Sequence, residues 1–392
     1  MKRKFLPVLT ASILGLSVAG CGQATNAPTS GEELTSEAPT TEAASSEETS
    51  AEETSEDAAP AGPPAPVDTG VKKADGSPVM DNFAFFAYQG DDALPHEFHN
   101  VENGQTVYMT TDISPEGLLK IYDSLGVNLQ GNVAVKLSTG ENGSNYLDPA
   151  LIKDLVQSLN GTIVECNTAY GGNRSETAMH RQLAEDHGFT AIADVDIMDA
   201  DGDMQIPVTG GTYLTTDYVG SHLANYDSML VLSHFKGHPQ GGFGGAIKNI
   251  SIGIGSGAHG KSNIHSGGTS LDTGSSSPDI NAFQSSMAEA GSAVRDYLGA
   301  ENMVYISVMN HLSVDCDCVE NPTEPDMHDI GIFASTDPVA LDQACVDQVY
   351  MADDDNASLI YRMESRNAFM SLKHGEEIGL GSRDYTLVSI DE

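Results

Sequence analysis

The chain has 392 residues, a formal net charge of −39 and no tryptophan. So large an excess of acidic residues argues against nucleic-acid binding, because the phosphates of a nucleic acid would be repelled. No stretch after the N-terminus approaches the roughly 20 apolar residues of a membrane-spanning helix, so a protein that crosses the membrane is not expected.

The N-terminus has the features of an exported lipoprotein. Three basic residues precede an apolar stretch, 5–18, that is too short to span a bilayer. Small residues then lead directly to Cys21, which resembles a bacterial lipobox and implies cleavage before this residue and its lipidation. The alternative is an ordinary signal peptide with an incidental cysteine. We predict that residues 1–21 form a lipoprotein signal ending at Cys21, and that the protein is anchored by lipid on the extracytoplasmic face of the cell membrane.

The next segment, 22–75, is predicted to be a disordered acidic linker. It is rich in Ser, Thr, Glu, Ala and Pro, and up to about residue 70 it has no aromatic or basic residue. Such a composition cannot bury enough apolar area to offset the entropy lost on ordering. We therefore assign the folded part to residues 76–392, as one large domain or two closely packed ones.

The folded part alternates between strand and helix patterns. Strands are predicted at 82–88, 106–111, 132–137, 162–166, 191–197, 228–235, 303–309, 330–334 and 385–390. Helices are predicted at 115–125, 150–159, 175–187, 246–254, 285–298, 339–351 and 358–372. Short connections between alternating elements predict an α/β fold with a mainly parallel sheet and helices on both faces.

Polar side chains follow five of the predicted strands. They lie in the segments 138–142, 167–174, 234–238, 310–318 and 335–337. Ligands of parallel α/β sheets bind at the carboxyl ends of the strands, so we expect these segments to meet at one edge and form a site.

The glycine-rich stretch 233–249 is the centre of that predicted site. Its glycines precede a helix-like segment and are expected to present backbone N–H groups to an anion. Lys236 and Lys248 stand out because basic residues are scarce, and either an anion anchor or a nucleophile fits them. The alternative is that the glycines only allow close packing and the lysines balance carboxylates. The ligand-binding candidates are Gly242, Gly244, Gly245, Asn249 and Arg174.

A mixed set of imidazole and thiol groups suggests a transition metal, because nitrogen and sulfur donors suit zinc, iron or nickel better than calcium or magnesium. The candidate ligands are His234, His238, His265, His311, Cys316 and Cys318. The two cysteines are judged too close in sequence to bridge each other without strain. The alternative is that the histidines only form hydrogen bonds and the cysteines are small buried side chains.

Several motifs together resemble the DUF362 family of uncharacterised bacterial and archaeal proteins over about residues 80–390. They lie at 133–136 with 140–141, 167–170 with 172–174, 234–238, 242–249, 260–261 with 265, 316–318, and 329–335 with 337–340 and 342. The resemblance implies that 234–249 belongs to the functional site. A weaker likeness, to the nickel-dependent lactate racemase group, is an analogy at the level of the fold.

Many members of that family carry a ferredoxin-like insert with two runs of four cysteines after the position of His265. Here the corresponding loop, 266–280, has no cysteine, so paired 4Fe-4S clusters are not expected. A single atypical cluster would require Cys166 and Cys345 to join Cys316 and Cys318.

The first functional prediction is a membrane-tethered extracytoplasmic protein whose site depends on a metal or cofactor, with the reaction left open. The second is a non-catalytic lipoprotein that binds a small anionic ligand or a metal. The third is a redox protein with one atypical iron–sulfur cluster.

Overall fold

The computed structural model describes residues 65–391, which belong to one compact unit. The predicted signal peptide, Cys21 and the linker as far as residue 64 lie outside the described residues. Within them, no helix has the length and apolar character needed to cross a membrane. The described chain begins with a strand, Val67–Lys72, in a segment that was assigned to the linker.

Fourteen strands are present in the described part. They are β1 (Val67–Lys72), β2 (Pro78–Asp81), β3 (Asn100–Thr110), β4 (Val133–Lys136), β5 (Thr162–Glu165), β6 (Val195–Ile197), β7 (Asp203–Pro207), β8 (Thr216–Gly220), β9 (Ser228–His234), β10 (Lys236–His238), β11 (Gly242–Gly244), β12 (Met303–Met309), β13 (Gly331–Ser335) and β14 (Tyr385–Ser389).

The same residues form nine α-helices. They are α1 (Pro115–Ser124), α2 (Pro149–Ser158), α3 (Thr177–Asp186), α4 (Ala246–Ile250), α5 (Gly260–His265), α6 (Ile280–Leu298), α7 (Pro338–Met351), α8 (Ala357–Ser365) and α9 (Phe369–Glu377). Three of them begin with a capping side chain followed by proline, as their sequences predict. Ser114, Asp148 and Asp337 each accept a hydrogen bond from a backbone N–H of the first turn.

Eight strands form the main sheet, in the order β14-β3-β13-β12-β9-β4-β5-β6. Five of the seven neighbouring pairs are parallel, and only β13 runs antiparallel to its two neighbours. The predicted α/β class with a mainly parallel sheet is therefore confirmed.

Two hydrophobic cores cover the two faces of this sheet. Strand β9 shows the division most clearly, because its successive side chains point to opposite faces. Leu230 and Leu232 pack with the core that contains α1 and α2, whereas Met229 and Val231 pack with the core that contains α6 and α7. Burial on both faces explains why β9 reads as an apolar run without alternation.

The reversed direction of β13 corrects one part of the predicted site. The segment 335–337 was expected at the same edge as the other strand ends. Because β13 is antiparallel to β12, its carboxyl end lies at the opposite edge. Asp337 instead caps α7 and accepts a hydrogen bond from the backbone N–H of Ser382.

Some predicted elements are wrong in detail. The segment 82–88 forms a short 3₁₀ turn rather than a strand. The single helix predicted at 358–372 is two helices, α8 and α9, separated near Asn367, whose φ is +45°. Three antiparallel hairpins outside the main sheet were not predicted: β1–β2, β7–β8 and β10–β11.

Candidate functional site

A cavity of about 130 Å³ lies at the carboxyl ends of β4, β5, β9 and β12. Four of the five predicted strand-end segments contribute to it, together with the β10–β11 hairpin, α4 and α5. The lining residues include Lys136, Glu165, Arg174, His234, Lys236, His238, Gly244, Gly245, Lys248, Asn249, Lys261, His265, Cys316, Asp317 and Cys318. Most of the predicted site residues therefore surround one cavity.

Asp317 holds the Cys-Asp-Cys segment against the rest of the site. Its carboxylate accepts a hydrogen bond from the ammonium group of Lys236 and lies 3.1 Å from Nδ1 of His234. Its backbone carbonyl accepts a hydrogen bond of 2.7 Å from the N–H of Glu141. Burial favours the neutral form of Asp317, but the charge of Lys236 outweighs it and holds the pKa of this carboxyl below its usual value. Asp317 is therefore a buried carboxylate paired with a buried lysine.

The same segment is fixed from its other side. The buried Arg362 of α8 donates a hydrogen bond of 2.9 Å from Nη1 to the carbonyl of Val314. Gly237 of the β10–β11 hairpin lies directly against this residue, and a Cβ at position 237 would be 2.2 Å from the Val314 carbonyl oxygen. This close approach explains the glycine between Lys236 and His238.

Cys316 and Cys318 form a disulfide bond, although the sequence analysis judged them too close to bridge without strain and treated both as metal ligands. The segment turns at Asp317 so that the two Cα atoms are 5.2 Å apart, within the normal range for bridged cysteines. Sequence separation alone did not reveal this turn. Cys316 is buried and Cys318 is partly exposed.

His238 is the histidine nearest to this pair. One of its ring nitrogens lies within 4.8 Å of both sulfur atoms, and these three side chains form the only group of three or more potential metal ligands between residues 65 and 391. The ring is neutral, because burial and the nearby Lys248 keep its pKa well below the usual value. Its Nδ1 accepts a hydrogen bond of 2.8 Å from the N–H of Gly241, which places the ring proton on Nε2.

This arrangement does not fit a metal ion while the disulfide is closed. A metal requires thiolates, and here the two sulfur atoms are bonded to each other. The second nitrogen of a metal-bound histidine normally donates a hydrogen bond, whereas Nδ1 of His238 accepts one. The three residues meet the distance requirement for a shared metal ion, but their donor atoms become available only after reduction.

The other three histidines are not part of that group. His234 has both ring nitrogens engaged, with Asp317 and, at 2.6 Å, with the carbonyl of Asn310, so it has no free nitrogen for a metal. His265 lines the cavity, and its Nδ1 donates to the carbonyl of Lys261 at 2.7 Å. His311 is exposed and lies in a different surface cavity. The predicted metal roles of His234 and His311 are therefore corrected.

The remaining two cysteines do not join Cys316 and Cys318. Both are buried, and neither belongs to a group of potential metal ligands in the described part of the chain. Cys166 donates a hydrogen bond to the carbonyl of Ile254, and Cys345 is a residue of α7 that packs in the core. The structure therefore gives no support to a four-cysteine cluster.

Positive charge is concentrated around the cavity. Five of the 18 Lys and Arg residues of the chain line it, whereas only two of the lining side chains are carboxylates, Glu165 and Asp317. The five cations are Lys136, Lys236, Lys248, Lys261 and Arg174. In a protein with a net charge of −39, this is a local reversal of sign.

Glu165 anchors two of these cations at the base of the cavity. Its carboxylate accepts hydrogen bonds of 3.1 Å from Lys136 and 3.3 Å from Arg174. Arg174 also donates to Glu141 at 2.8 Å and to the hydroxyl of Tyr170 at 2.8 Å. Burial favours protonation of Glu165, but Lys136 and Arg174 outweigh it and lower the pKa to about 2.

Lys248 differs from the other lysines of the cavity. Its ammonium group forms no ion pair or hydrogen bond with any residue between 65 and 391. Burial and the charges of Lys236, Arg174 and Lys136 lower its pKa to about 7, although Glu165 acts in the opposite direction. Lys248 is therefore a cation that lacks an anionic partner within the described protein.

The glycine segment does not present a free helix N-terminus to a ligand. The first backbone N–H groups of α4, those of Ala246 and Ile247, donate to the two carboxylate oxygens of Asp342 at 2.7 and 2.9 Å. Gly245 permits this contact, since a Cβ there would lie 2.2 Å from the carboxylate. The backbone N–H groups of Ala246 and Ile247 are therefore not free for a ligand anion, because a carboxyl group of the protein itself accepts from both.

Asn249 and Gly242 also have structural roles. The amide of Asn249 accepts from Lys136 and donates to the backbone carbonyl of the same residue, which ties α4 to β4. Gly242 has a φ of +80° and packs against Ala368, so a side chain would not fit at this position. Of the three candidate glycines, only Gly244 and Gly245 line the cavity.

Comparison with known families bears directly on this cavity. The sequence pattern described as "Domain of unknown function (DUF362)" matches residues 133–347, which is more than half of the chain. The chain belongs to the DUF362 family. The matched range includes every residue of the cavity lining, from Lys136 to Cys318. No curated protein matches the chain.

Two solved structures show distant similarity to this DUF362 protein. The lactate racemase apoprotein from Thermoanaerobacterium thermosaccharolyticum is 13% identical, with a TM-score of 0.38 over 67% of this chain and 61% of that one. A protein from Thermotoga maritima is 11% identical, with a TM-score of 0.35 over 67% of this chain and 58% of that one. The chain thus spans about three fifths of the length of each. Similarity at this level carries no argument about the site.

Three charged residues that line the cavity lie outside the predicted strand-end segments and the glycine-rich stretch of the DUF362 chain: Lys136, Glu165 and Lys261. Asp317 lies within one of these segments but was not among the named candidates. Two of these four residues had a detectable signal. Lys136 and Glu165 are the last residues of the short apolar strands β4 and β5. A charged side chain that ends a buried parallel strand lies at the ligand-binding edge, and this rule would have selected both residues.

Proposed function

We propose that this DUF362 protein binds a small organic molecule with several negative charges, as its substrate or cofactor, in the cavity between α4 and the Cys-Asp-Cys segment. The observation that carries the proposal is the presence of five cationic side chains against two lining carboxylates. Cations with low-dielectric walls around them attract anions strongly, and the negative charge of the whole chain makes this attraction local to the cavity.

The size of the cavity limits the ligand. A volume of about 130 Å³ has room for about ten water-sized groups, at roughly 10–15 Å³ for each. This suits a small di- or tricarboxylate, or a phosphorylated molecule of similar size, rather than a nucleotide.

The side chains divide into anchors and contacts. Lys136 and Lys236 keep their carboxylate partners and contribute mainly to the electrostatic field. Lys248 supplies the charge that has no partner, and Nε2–H of His238 is a neutral hydrogen-bond donor. A ligand anion at Lys248 would give its ammonium group the anionic partner that the described residues do not provide.

Replacing Lys248 with methionine is expected to weaken anion binding about 10- to 100-fold, equivalent to about 1.4–2.7 kcal/mol, because the cation without a partner is lost. Isothermal calorimetry with succinate, citrate and inorganic phosphate, at low and high salt, measures this effect. Lys153→Met changes an exposed lysine of α2 and serves as the matched control. Absence of binding by all three anions, or equal losses in the two variants, contradicts the proposal.

The same binding is expected to depend on pH. Because the pKa of Lys248 is about 7 in the free protein, the residue carries its charge below pH 7 and loses it above. Anion affinity should therefore fall as the pH rises above 7, by up to about tenfold per unit. Calorimetry near pH 8 in two buffers of different ionisation enthalpy should show uptake of a proton on binding. Lys248→Met should show neither effect.

A metal site formed by His238, Cys316 and Cys318 is the second candidate. Their ligand atoms lie within 4.8 Å of one another, close enough to bind one metal ion. The donors become available only when the disulfide is reduced, so metal content before and after reduction separates this function from anion binding.

We also propose that the protein is lipid-anchored through Cys21 on the extracytoplasmic face of the membrane. The basic, apolar and small-residue segments of residues 1–21 support this proposal. Labelled palmitate should be incorporated into the chain in bacterial cells and should be absent from Cys21→Ser. Equal labelling of the two, or recovery of the unchanged protein in the soluble fraction, argues against the anchor.

A further inference from the structure

The Cys316–Cys318 disulfide faces the cation-rich cavity, and both residues belong to its lining. We propose that this disulfide is a redox centre that exchanges with small thiols carrying a carboxylate or phosphate group. This inference deepens the proposed function, because it uses the same cavity and names the reactive part of the ligand.

The two sulfur atoms differ in their access to solvent. Cys316 is 3% exposed, whereas Cys318 is partly exposed at the wall of the cavity. A thiolate from solution therefore reaches Cys318 first, and Cys316 becomes the leaving group. Cys166 also lines the cavity, but burial raises the pKa of its thiol, and Cys345 is a buried thiol whose pKa is raised in the same way. Neither supplies a thiolate readily, so the pair exchanges with an external thiol.

Charge around the disulfide selects the incoming thiol. Lys248 has no partner among residues 65–391, and Lys261 uses only one hydrogen bond, to the carbonyl of Gly255. A negatively charged group on the thiol binds to these cations and brings its sulfur to the cavity wall. A neutral thiol lacks this attraction and depends on chance collision.

The exchange consists of two balanced steps. The external thiolate attacks Sγ of Cys318, the Sγ–Sγ bond breaks, and its electron pair remains on Cys316 as a thiolate. A second external thiolate then attacks the external sulfur of the mixed disulfide, which releases the external disulfide and the thiolate of Cys318. In total, two external thiols are oxidised to one disulfide, and the protein disulfide is reduced to two thiols.

His238 is placed to assist the leaving group. A ring nitrogen lies within 4.8 Å of both sulfur atoms, and the hydrogen bond from Gly241 leaves the ring proton on Nε2. In the proposed exchange, His238 presents this N–H to the thiolate that the first step releases. His238 is thus a positioning and hydrogen-bonding residue in this exchange.

The test compares 3-mercaptopropionate with its methyl ester, which has the same thiol but no charge. The oxidised protein is incubated with each thiol, trapped with N-ethylmaleimide and analysed by peptide mass spectrometry. We expect labels on Cys316 and Cys318 only, with the acid reacting at least about tenfold faster than the ester after correction for the thiolate fraction. Lys248→Met should lower the ratio of the two rates, whereas Lys153→Met should leave it unchanged.

Equal rates for the acid and the ester overturn the inference, as does labelling of Cys316 and Cys318 before any reductant is added. Calorimetry with succinate and citrate then shows which idea has failed. If these anions bind and the two thiols react equally, anion binding survives and the redox inference fails. If the acid is preferred although neither anion binds, the redox centre survives and the proposed anion-binding function fails.

Discussion

Replacing Glu165 with glutamine is expected to lower the free energy of unfolding by about 3–5 kcal/mol, the usual cost of removing one partner from a buried ion pair. The substitution keeps the shape of the side chain but leaves Lys136 and Arg174 without this carboxylate. All three side chains are almost completely buried, so solvent screens the remaining charges only weakly. Urea unfolding at pH 7 measures the change.

A matched control is Glu102→Gln, at an exposed position of β3, which should change stability by less than about 0.5 kcal/mol. The pH dependence provides a second check. Because the pKa of Glu165 falls from 4.5 to about 2 on folding, its stabilising contribution is complete above pH 4.5 and is lost as the pH falls towards 2. Glu165→Gln should lack this part of the acid transition. A loss below about 1 kcal/mol would show that the cations find other partners.

Reduction of the disulfide is expected to convert the protein from one that binds no transition metal at this position to one that binds a single zinc ion. Two thiolates and an imidazole are a common zinc donor set, and thiolate sites in small peptides bind zinc with about 10–16 kcal/mol. His238 must turn or release its hydrogen bond from Gly241 to offer a free nitrogen. Metal analysis of anaerobic protein, before and after reduction, measures the stoichiometry.

Variants locate the metal. Cys318→Ser should abolish binding by the reduced protein, whereas His311→Ala, at an exposed histidine outside the group, should not affect it. One metal ion per chain in the oxidised protein would contradict the conclusion that the closed disulfide leaves no donor set for a metal. Failure of the reduced protein to bind zinc would remove the metal function and leave the disulfide and the cations as the chemistry of the cavity.

The positions of the sheet strands were largely predictable because most of them are buried on both faces. Strands β9 and β12 are buried along their whole length and contain the apolar runs 229–232 and 303–306. The direction of β13 was not predictable, since an apolar strand reads the same in either orientation. Its reversal moved Asp337 out of the site.

The site was predictable in position but less so in its chemistry. Sequence reasoning found the loops that surround the cavity, because the carboxyl ends of parallel strands share an edge. It did not show which side chains form hydrogen bonds, ion pairs or disulfide bonds with one another. Cys316 and Cys318 were treated as free donors and are bonded, and both ring nitrogens of His234 are occupied. Such pairings depend on how the loops turn, and periodicity carries no information about that.

The contact between Asp342 and the start of α4 has a consequence for the order in which the protein folds. The carboxylate and the N–H group of Ala246 are 96 residues apart in the chain. Closing this contact costs more loop entropy than the pairing of β4 with β5, where Ala134 and Thr162 are much nearer in the chain, so the cap is absent until α7 has docked. The wall of the cavity that contains Lys248 should therefore become rigid only late in folding. Hydrogen exchange during refolding should show protection of Ala246 and Ile247 appearing together with that of α7, after the strands β4 and β5 are already protected.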